Sequence, residues 1–373
     1  MSALLRTPGV VRLTNRRVLQ LQGVDASRFL QAILTNDMKS VAKPGDALYG
    51  GFLTTKGRLL GDCSVVQTQE DTFLLDYDES VSEDLMKHWK RYKLRMKVKL
   101  EDKSDVLSTY ATLPALISAD DTCDYSVPEN ELETVLQINS ALQDAKDGVA
   151  FVDPRGKEFG VRAILPASET LNVPDSYETL DLAAYNDRRI FLGAAEGKEL
   201  SDGIPLESNL ELLHGVSFRK GCYVGQELTA RTQFKGNVRK RIVPLALIPS
   251  DQQDVIIALS ELSFQRIDSP SHASLREYLV NSASRKDAVS PEQGGKIVKT
   301  GSTKAVGTIV NVGNELPVTI AMMRLEHLLP KEEEGNGVVP QMQFTTLEGD
   351  FHAIPYQPTW WPALDLATGK MKL

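Results

Sequence analysis

The chain has 373 residues, 42% of them hydrophobic and 25% charged, and a net charge of −8, enough for a sizeable core and for more than one domain. The acidic balance excludes a general nucleic-acid binder, whose surface must displace counterions from phosphates, and no apolar run reaches the length of a membrane-spanning helix. Three widely spaced cysteines, Cys63, Cys123 and Cys222, fit a reducing compartment and leave no C-x-x-C pair from which one chain builds a zinc or cluster cage.

The first 24 residues carry Arg6, Arg12, Arg16 and Arg17 and no acid, a composition shared with mitochondrial transit peptides. However, Val11 and Leu13, then Leu19 and Leu21, alternate with polar residues around Thr14-Asn15-Arg16, which predicts a hairpin. Asp25 can cap a helix whose Ala26, Phe29, Leu30, Ile33 and Leu34 recur at helical spacing. Tyr49 to Leu53, Leu59 to Val66 and Thr72 to Asp76 read as strands, and a second helix from about Glu79 presents Val81, Leu85, Met86 and Trp89. Seven of the thirteen residues from Lys87 to Lys99 are basic, which is either a solvated face or a docking patch for an anionic partner. Ser104 to Leu113 follows as strand. The acidic stretch from Ser118 to Glu133 reads as an exposed loop in which Cys123 is unactivated.

Val149 to Val152 and Gly160 to Leu165 form a hairpin-like unit around Asp153-Pro154-Arg155-Gly156. Two α+β halves are expected, with a boundary near 103–148. Tyr177 to Leu192 and Leu206 to His214 read as helical. Past Arg241 come a strand, Ile242 to Ile248, and a polar stretch, Ser250 to Gly295, expected to be a partly disordered insertion. The short strands at Lys296 to Val312, Val318 to Leu325, Gln341 to Leu347 and Phe351 to Ile354 have the pattern of a small barrel. This divides the chain into 1–240 and a C-terminal unit, 241–373.

The chemistry concentrates in Lys220-Gly221-Cys222-Tyr223-Val224-Gly225-Gln226-Glu227, continuing to Arg231. Gly221 and Gly225 permit a tight turn and close approach. The residues after them are good helix formers, so Cys222 is expected in a loop just before a helix N-terminus, where free amides, the macrodipole and Lys220 favour a thiolate. A lone cysteine is more often a small core residue, but a core residue needs no such neighbourhood. The nearest further metal ligands, His214 and Glu227, match no standard spacing with Cys222. One thiolate is a poor cage but a suitable shared ligand for a cluster completed by a partner.

This octapeptide resembles the signature of the YgfZ/GcvT folate-binding-like proteins, and most closely their mitochondrial iron–sulfur cluster assembly branch. Gly23-Val24-Asp25-Ala26, Leu34-Thr35-Asn36-Asp37, Lys56-Gly57-Arg58, Asp153-Pro154-Arg155, Gly160 and Arg162 extend the likeness. The resemblance implies two ferredoxin-like α+β subdomains and a C-terminal β-barrel around a central cavity, as in aminomethyltransferases. It implies a matrix protein, made with a transit peptide, that helps A-type scaffold proteins and a ferredoxin build four-iron four-sulfur clusters. Cys222 would lend a thiolate to a cluster shared with the partner, with Lys220 offsetting its charge and Gln226, Glu227 and Arg231 holding the loop, and the protein would not be an enzyme. The alternative is a tetrahydrofolate-dependent one-carbon transferase with Asp62 as general acid or base. Against tight pterin binding, Arg189-Ile190-Phe191-Leu192-Gly193 has Phe191 where those relatives carry a glutamate, and a phenyl ring cannot accept the pterin's N–H bonds.

Overall fold

The computed structural model describes residues 3–117, 129–140, 148–282, 290–329, 331–332, 338–339 and 344–371. Strand β1, Gly9–Arg12, is followed at once by β2, Arg16–Gln22, yet the two enter different sheets. β2 lies in a fully antiparallel sheet of order β3-β4-β5-β2-β6, with β3 Ala47–Leu53, β4 Leu59–Gln69, β5 Thr72–Asp78 and β6 Lys99–Asp102. Helices α1, Ala26–Ile33, and α2, Ser82–Lys93, pack on it. Phe29, Leu30, Ile33, Leu85 and Trp89 form one core with Phe52, Val65 and Leu75. Each such side chain contributes about 1.5–3 kcal/mol by leaving water, so the apolar spacing read from the sequence is what fastens these helices down.

The second sheet has the order β10-β1-β7-β9-β8, where β7 is Leu107–Leu113, β8 Val149–Val152, β9 Val161–Pro166 and β10 Glu178–Leu180. Only the β1–β10 pair is parallel. Helix α3, Glu129–Ile138, packs on this sheet through Leu132 and Val135. Helix α4, Leu182–Phe191, is capped by Asp181, whose carboxylate accepts from the Ala184 amide at 2.9 Å. Its Ile190 and Phe191 join Ile242, Ala246, Val318 and Ile320 in a core shared with the C-terminal unit.

That unit is a closed six-stranded barrel. Its strands are β11 Lys240–Pro249, β12 Lys296–Lys299, β13 Ala305–Val312, β14 Val318–Arg324, β17 Phe344–Thr346 and β18 Phe351–Pro355, ordered β11-β14-β13-β12-β17-β18. Two small ribbons, β15 Lys331–Glu332 with β16 Val338–Val339 and β19 Leu364–Asp365 with β20 Lys370–Met371, complete the strands. Helix α5, Gln226–Lys235, precedes the barrel; α6, Gln253–Leu259, and α7, Ala273–Asn281, lie within it in sequence.

Four local expectations are corrected. The N-terminal residues turn at Thr14-Asn15, but no hairpin forms, because β1 bonds to β7 and β10 while β2 bonds to β5 and β6. The helix expected from Tyr177 starts at Leu182, since Glu178–Leu180 is taken up as an edge strand. Leu206 to His214 is a run of turns, interrupted where Asn209 and His214 adopt φ of 61° and 60°. Residues 250–282 are packed: Ile256, Leu259, Ile267, Leu275 and Leu279 enter the shared core, and the Tyr278 hydroxyl donates to the Leu247 carbonyl at 2.8 Å. Cys123 and most of the acidic loop around it lie outside the described residues, as do Gln341 to Gln343.

Candidate functional site

Two stretches far apart in sequence meet at the cysteine loop. The first is the end of α1 and the Leu34-Thr35-Asn36-Asp37 segment after it. The Thr35 hydroxyl donates to the Gly215 carbonyl at 2.6 Å, the Ser217 amide donates to the Thr35 carbonyl at 3.1 Å, and Asn36 Nδ2 donates to the His214 carbonyl at 2.7 Å. Lys220 completes the fastening. Its ammonium donates to the carbonyls of Gln31, Leu34 and Asn36 at 2.8, 2.7 and 2.8 Å, placing a cation where the α1 macrodipole is negative and the last carbonyls lack partners. Burial pulls the Lys220 pKa down to about 8, against the opposing pull of Asp37. The ammonium also lies 4.8 Å from the Tyr223 ring centroid, a cation–π contact. The charge expected to face Cys222 is thus spent on three carbonyls.

The second stretch is the β3–β4 turn. Gly225 has φ 78°, and a side chain there would overlap the Thr54 carbonyl and lie 2.8 Å from Leu53 Cβ. Gly57 has φ 77°, and a Cβ on it would lie 2.6 Å from Leu228 Cβ and 2.8 Å from the Gly225 carbonyl oxygen. The two glycines therefore interlock, and Lys56-Gly57-Arg58 is the seat of the cysteine loop. On the other side, the Val224 amide donates to the Ala32 carbonyl at 3.0 Å. Gln226 Oε1 accepts from the Tyr223 amide at 3.2 Å, closing the turn into α5.

Cys222 is exposed between these anchors, four residues before the first residue of α5. Gly221 beside it has no atom within 4 Å of where a Cβ would stand, so its absent side chain leaves open space and not a packed contact. Glu227 and Arg231 are exposed on α5 and make no side-chain hydrogen bond or ion pair among the described residues. They do not hold the loop, because its backbone is already tied to α1 and to the β3–β4 turn. Phe234, 69% exposed, meets Phe218 edge to face at 6.1 Å, so the segment bearing Cys222 runs back beside α5. His214 is exposed and enters the loop through its backbone carbonyl. Cys63 is buried, which pushes its thiol pKa well up. Among the described residues no three His, Cys, Asp or Glu side chains are grouped to hold a metal ion.

Asp62 lies far from such exposure. It stands within β4, 1% exposed, and not on a solvated turn. Its carboxylate accepts from the Gly197 amide at 2.8 Å and from the Tyr49 hydroxyl at 3.0 Å, and burial pushes its pKa up against the pull of Arg16. Next to it, the space between the two sheets is occupied by a buried charged cluster that sequence reading missed as a unit. Arg16 Nε pairs with Asp76 at 2.9 Å, Arg162 with Asp76 at 2.6 Å and with Asp153 at 3.2 Å, and Arg155 with Asp153 at 2.8 Å and with Glu196. The Tyr185 hydroxyl donates to Glu196 at 2.6 Å. Burial works against ionisation of Asp76, Asp153 and Glu196, and the guanidinium groups outweigh it, holding all three below the ordinary carboxylate range. The available signal was Asp76, a charge inside the mostly apolar run Phe73-Leu74-Leu75-Asp76-Tyr77 of β5. Phe191 is 1% exposed against Tyr356, and Arg189 pairs with Glu199 at 2.6 Å, so the segment that the transferase alternative would set against a pterin is committed to the core.

Residues 2–113 match the GCVT N-terminal domain family. The chain is 32% identical over 382 residues to the iron-sulfur cluster assembly factor IBA57 homolog, mitochondrial, of Mycosarcoma maydis, a match covering 95% of this chain and 85% of that protein. The protein of the same name in Aspergillus clavatus is 31% identical, over 90% of this chain and 75% of its own. The chain belongs to the IBA57 family. Its fold is that of the glycine cleavage system aminomethyltransferase T of Bartonella henselae, whose crystal structure superposes with a TM-score of 0.62 at 14% identity, over 95% of this chain and 87% of that one. The fold is therefore shared with a transferase, and the sequence kinship lies with the IBA57 proteins.

Proposed function

We propose that this member of the IBA57 family is a mitochondrial matrix factor for maturation of four-iron four-sulfur proteins, working with an A-type scaffold protein and a ferredoxin. Cys222 lends one thiolate to a cluster whose other ligands come from the scaffold. The cluster is cargo, not a resident cofactor. The observation that carries the reading is an exposed thiol on a loop whose backbone is fixed on both sides, by Val224 to Ala32 and by Lys220 to three carbonyls, with open space at Gly221. Such a loop presents a soft ligand at a set position without a closed cage of its own. Lys220 serves the site by orientation, through its bonds to the three carbonyls.

The test is anaerobic mixing of this chain with an A-type scaffold, iron and sulfide, followed by visible absorption. Charge-transfer bands that need both proteins, and that vanish in Cys222→Ser while circular dichroism is unchanged, support the proposal. A serine hydroxyl is a far poorer ligand for iron–sulfur chemistry. Bands of wild-type intensity with Cys222→Ser would refute the role of the thiol.

A further inference from the structure

The outer face of α1 joins the Cys222 loop to the basic end of α2. Val24, Arg28, Gln31 and Ala32 recur at the spacing that places residues on one helix face; Val24 and Arg28 are exposed, Gln31 and Ala32 half-buried. At the far end of this face the Val224 amide and the Lys220 ammonium bond to the carbonyls of Ala32 and Gln31, so Cys222 lies between its anchors there. At the near end, a Cβ on Gly23 would overlap the Lys97 carbonyl, and Asp25 accepts from the Lys97 amide at 2.8 Å. This brings in the turn that ends α2. The eight residues of α1 separate the two ends by about 12 Å, well within the roughly 30 Å across a face of about 800 Å² that one partner covers in an ordinary interface.

The turn itself is unusual. The Met96 amide donates to the Lys93 carbonyl at 3.0 Å, and Leu94 has φ 48° and ψ −124°. This is the first central position of a type II′ turn, which glycine normally fills. Leucine is strained there, and at 82% exposure no burial in the free chain offsets the strain. Val24, between the Gly23 and Asp25 that contact Lys97, is 69% exposed. Arg28, one helical turn on from Val24, and Arg95 and Lys97, which follow Leu94 in the chain, are exposed and without an ion pair among the described residues.

We infer that the protein sharing Cys222 docks along α1, seating Leu94 and Val24 in apolar pockets and laying an acidic rim on Arg28, Arg95 and Lys97. This rests on the cluster-sharing reading above. A cationic, apolar-tipped surface in a chain of net charge −8 steers an acidic partner to one end of the molecule. An anionic bilayer would match the charge, but the face runs on to the exposed Cys222 thiol, which on the cluster-sharing reading above favours a protein.

The probe is the apo A-type scaffold, its association and dissociation rates measured at low and high salt. Arg28→Glu with Arg95→Glu lowers the association rate at low salt by roughly tenfold and flattens its salt dependence. Leu94→Gly speeds dissociation by roughly tenfold, the loss of one buried leucine, yet raises the thermal midpoint because glycine relieves the turn. Cys222→Ser keeps the apo association and loses only the shared cluster. Wild-type rates in the charge-reversed protein overturn the docking assignment while leaving the Cys222 reading intact. Cluster formation by Cys222→Ser, with the charge dependence preserved, does the reverse. Capture by anionic vesicles that charge reversal abolishes, with scaffold binding unaffected, also overturns it, and a wild-type chain that does not bind the scaffold overturns both.

Discussion

Gly225→Ala separates a backbone requirement from an open space within one motif. At φ 78° an L side chain is disfavoured by about 1–2 kcal/mol. The new Cβ would also overlap the Thr54 carbonyl and stand 2.8 Å from Leu53 Cβ, both parts of β3 and its turn that a side-chain rotation cannot move. Overpacking against such neighbours costs about 1–3 kcal/mol, so the expected loss is about 3 kcal/mol in all. The companion Gly221→Ala places its Cβ in open space at a residue without positive φ, and its change stays within about 0.5 kcal/mol. Equilibrium urea unfolding measures both. Alkylation of Cys222 reports the loop separately, and Gly225→Ala should react faster than wild type because the loop lifts from the Gly57 turn. Equal unfolding midpoints for the two variants would refute the interlocking of Gly225 with Gly57.

Three further outcomes follow from the buried charges. Arg162→Met removes one partner of the cluster and leaves Asp76 and Asp153 under-compensated, and urea unfolding should register a loss of about 3–5 kcal/mol; because Asp76, Asp153 and Glu196 have depressed native pKa values, their contribution is full above the ordinary carboxylate range near about 4 and is lost as pH falls through the native values. Lys220 titrates near 8 in the folded chain against about 10.4 unfolded, so the unfolded state holds more protons across that window and unfolding free energy rises with pH there; Lys220→Met should abolish this rise and destabilise the protein at neutral pH by stranding three carbonyls. Tetrahydrofolate should give no saturable rise in melting temperature, since the sheet interface is occupied by ion pairs and Phe191 is in the core; a saturable rise would point to a binding-competent cavity.

Much of the cysteine site was legible from local chemistry. Glycines flanking a cysteine ahead of helix formers gave the loop, the helix start and the exposure of Cys222, and Gln226 closes the turn at the expected end. Lys220 was legible as a residue of the motif but not in its role, because an ammonium's partners are set by whichever carbonyls surround it. Those belong to the last turn of α1 and the segment just after it, nearly two hundred residues earlier in the chain.

The sequence by itself determined element type for α1, β3 to β5, the barrel strands and the helix after Cys222, since apolar period and turn chemistry are local, but not at Glu178–Leu180 or Leu206 to His214. Only the tertiary structure decided which strands pair, sending β1 and β2 to different sheets across a two-strand pattern that reads as a hairpin. It also decided which charges are buried. Asp62 on β4, Asp76 on β5 and Arg162 on β9 look alike as polar residues within strands, and they become a buried cluster because the two sheets turn those faces toward each other. Pairing and burial depend on what lies across the gap, and a chain's period carries no information about its distant neighbours.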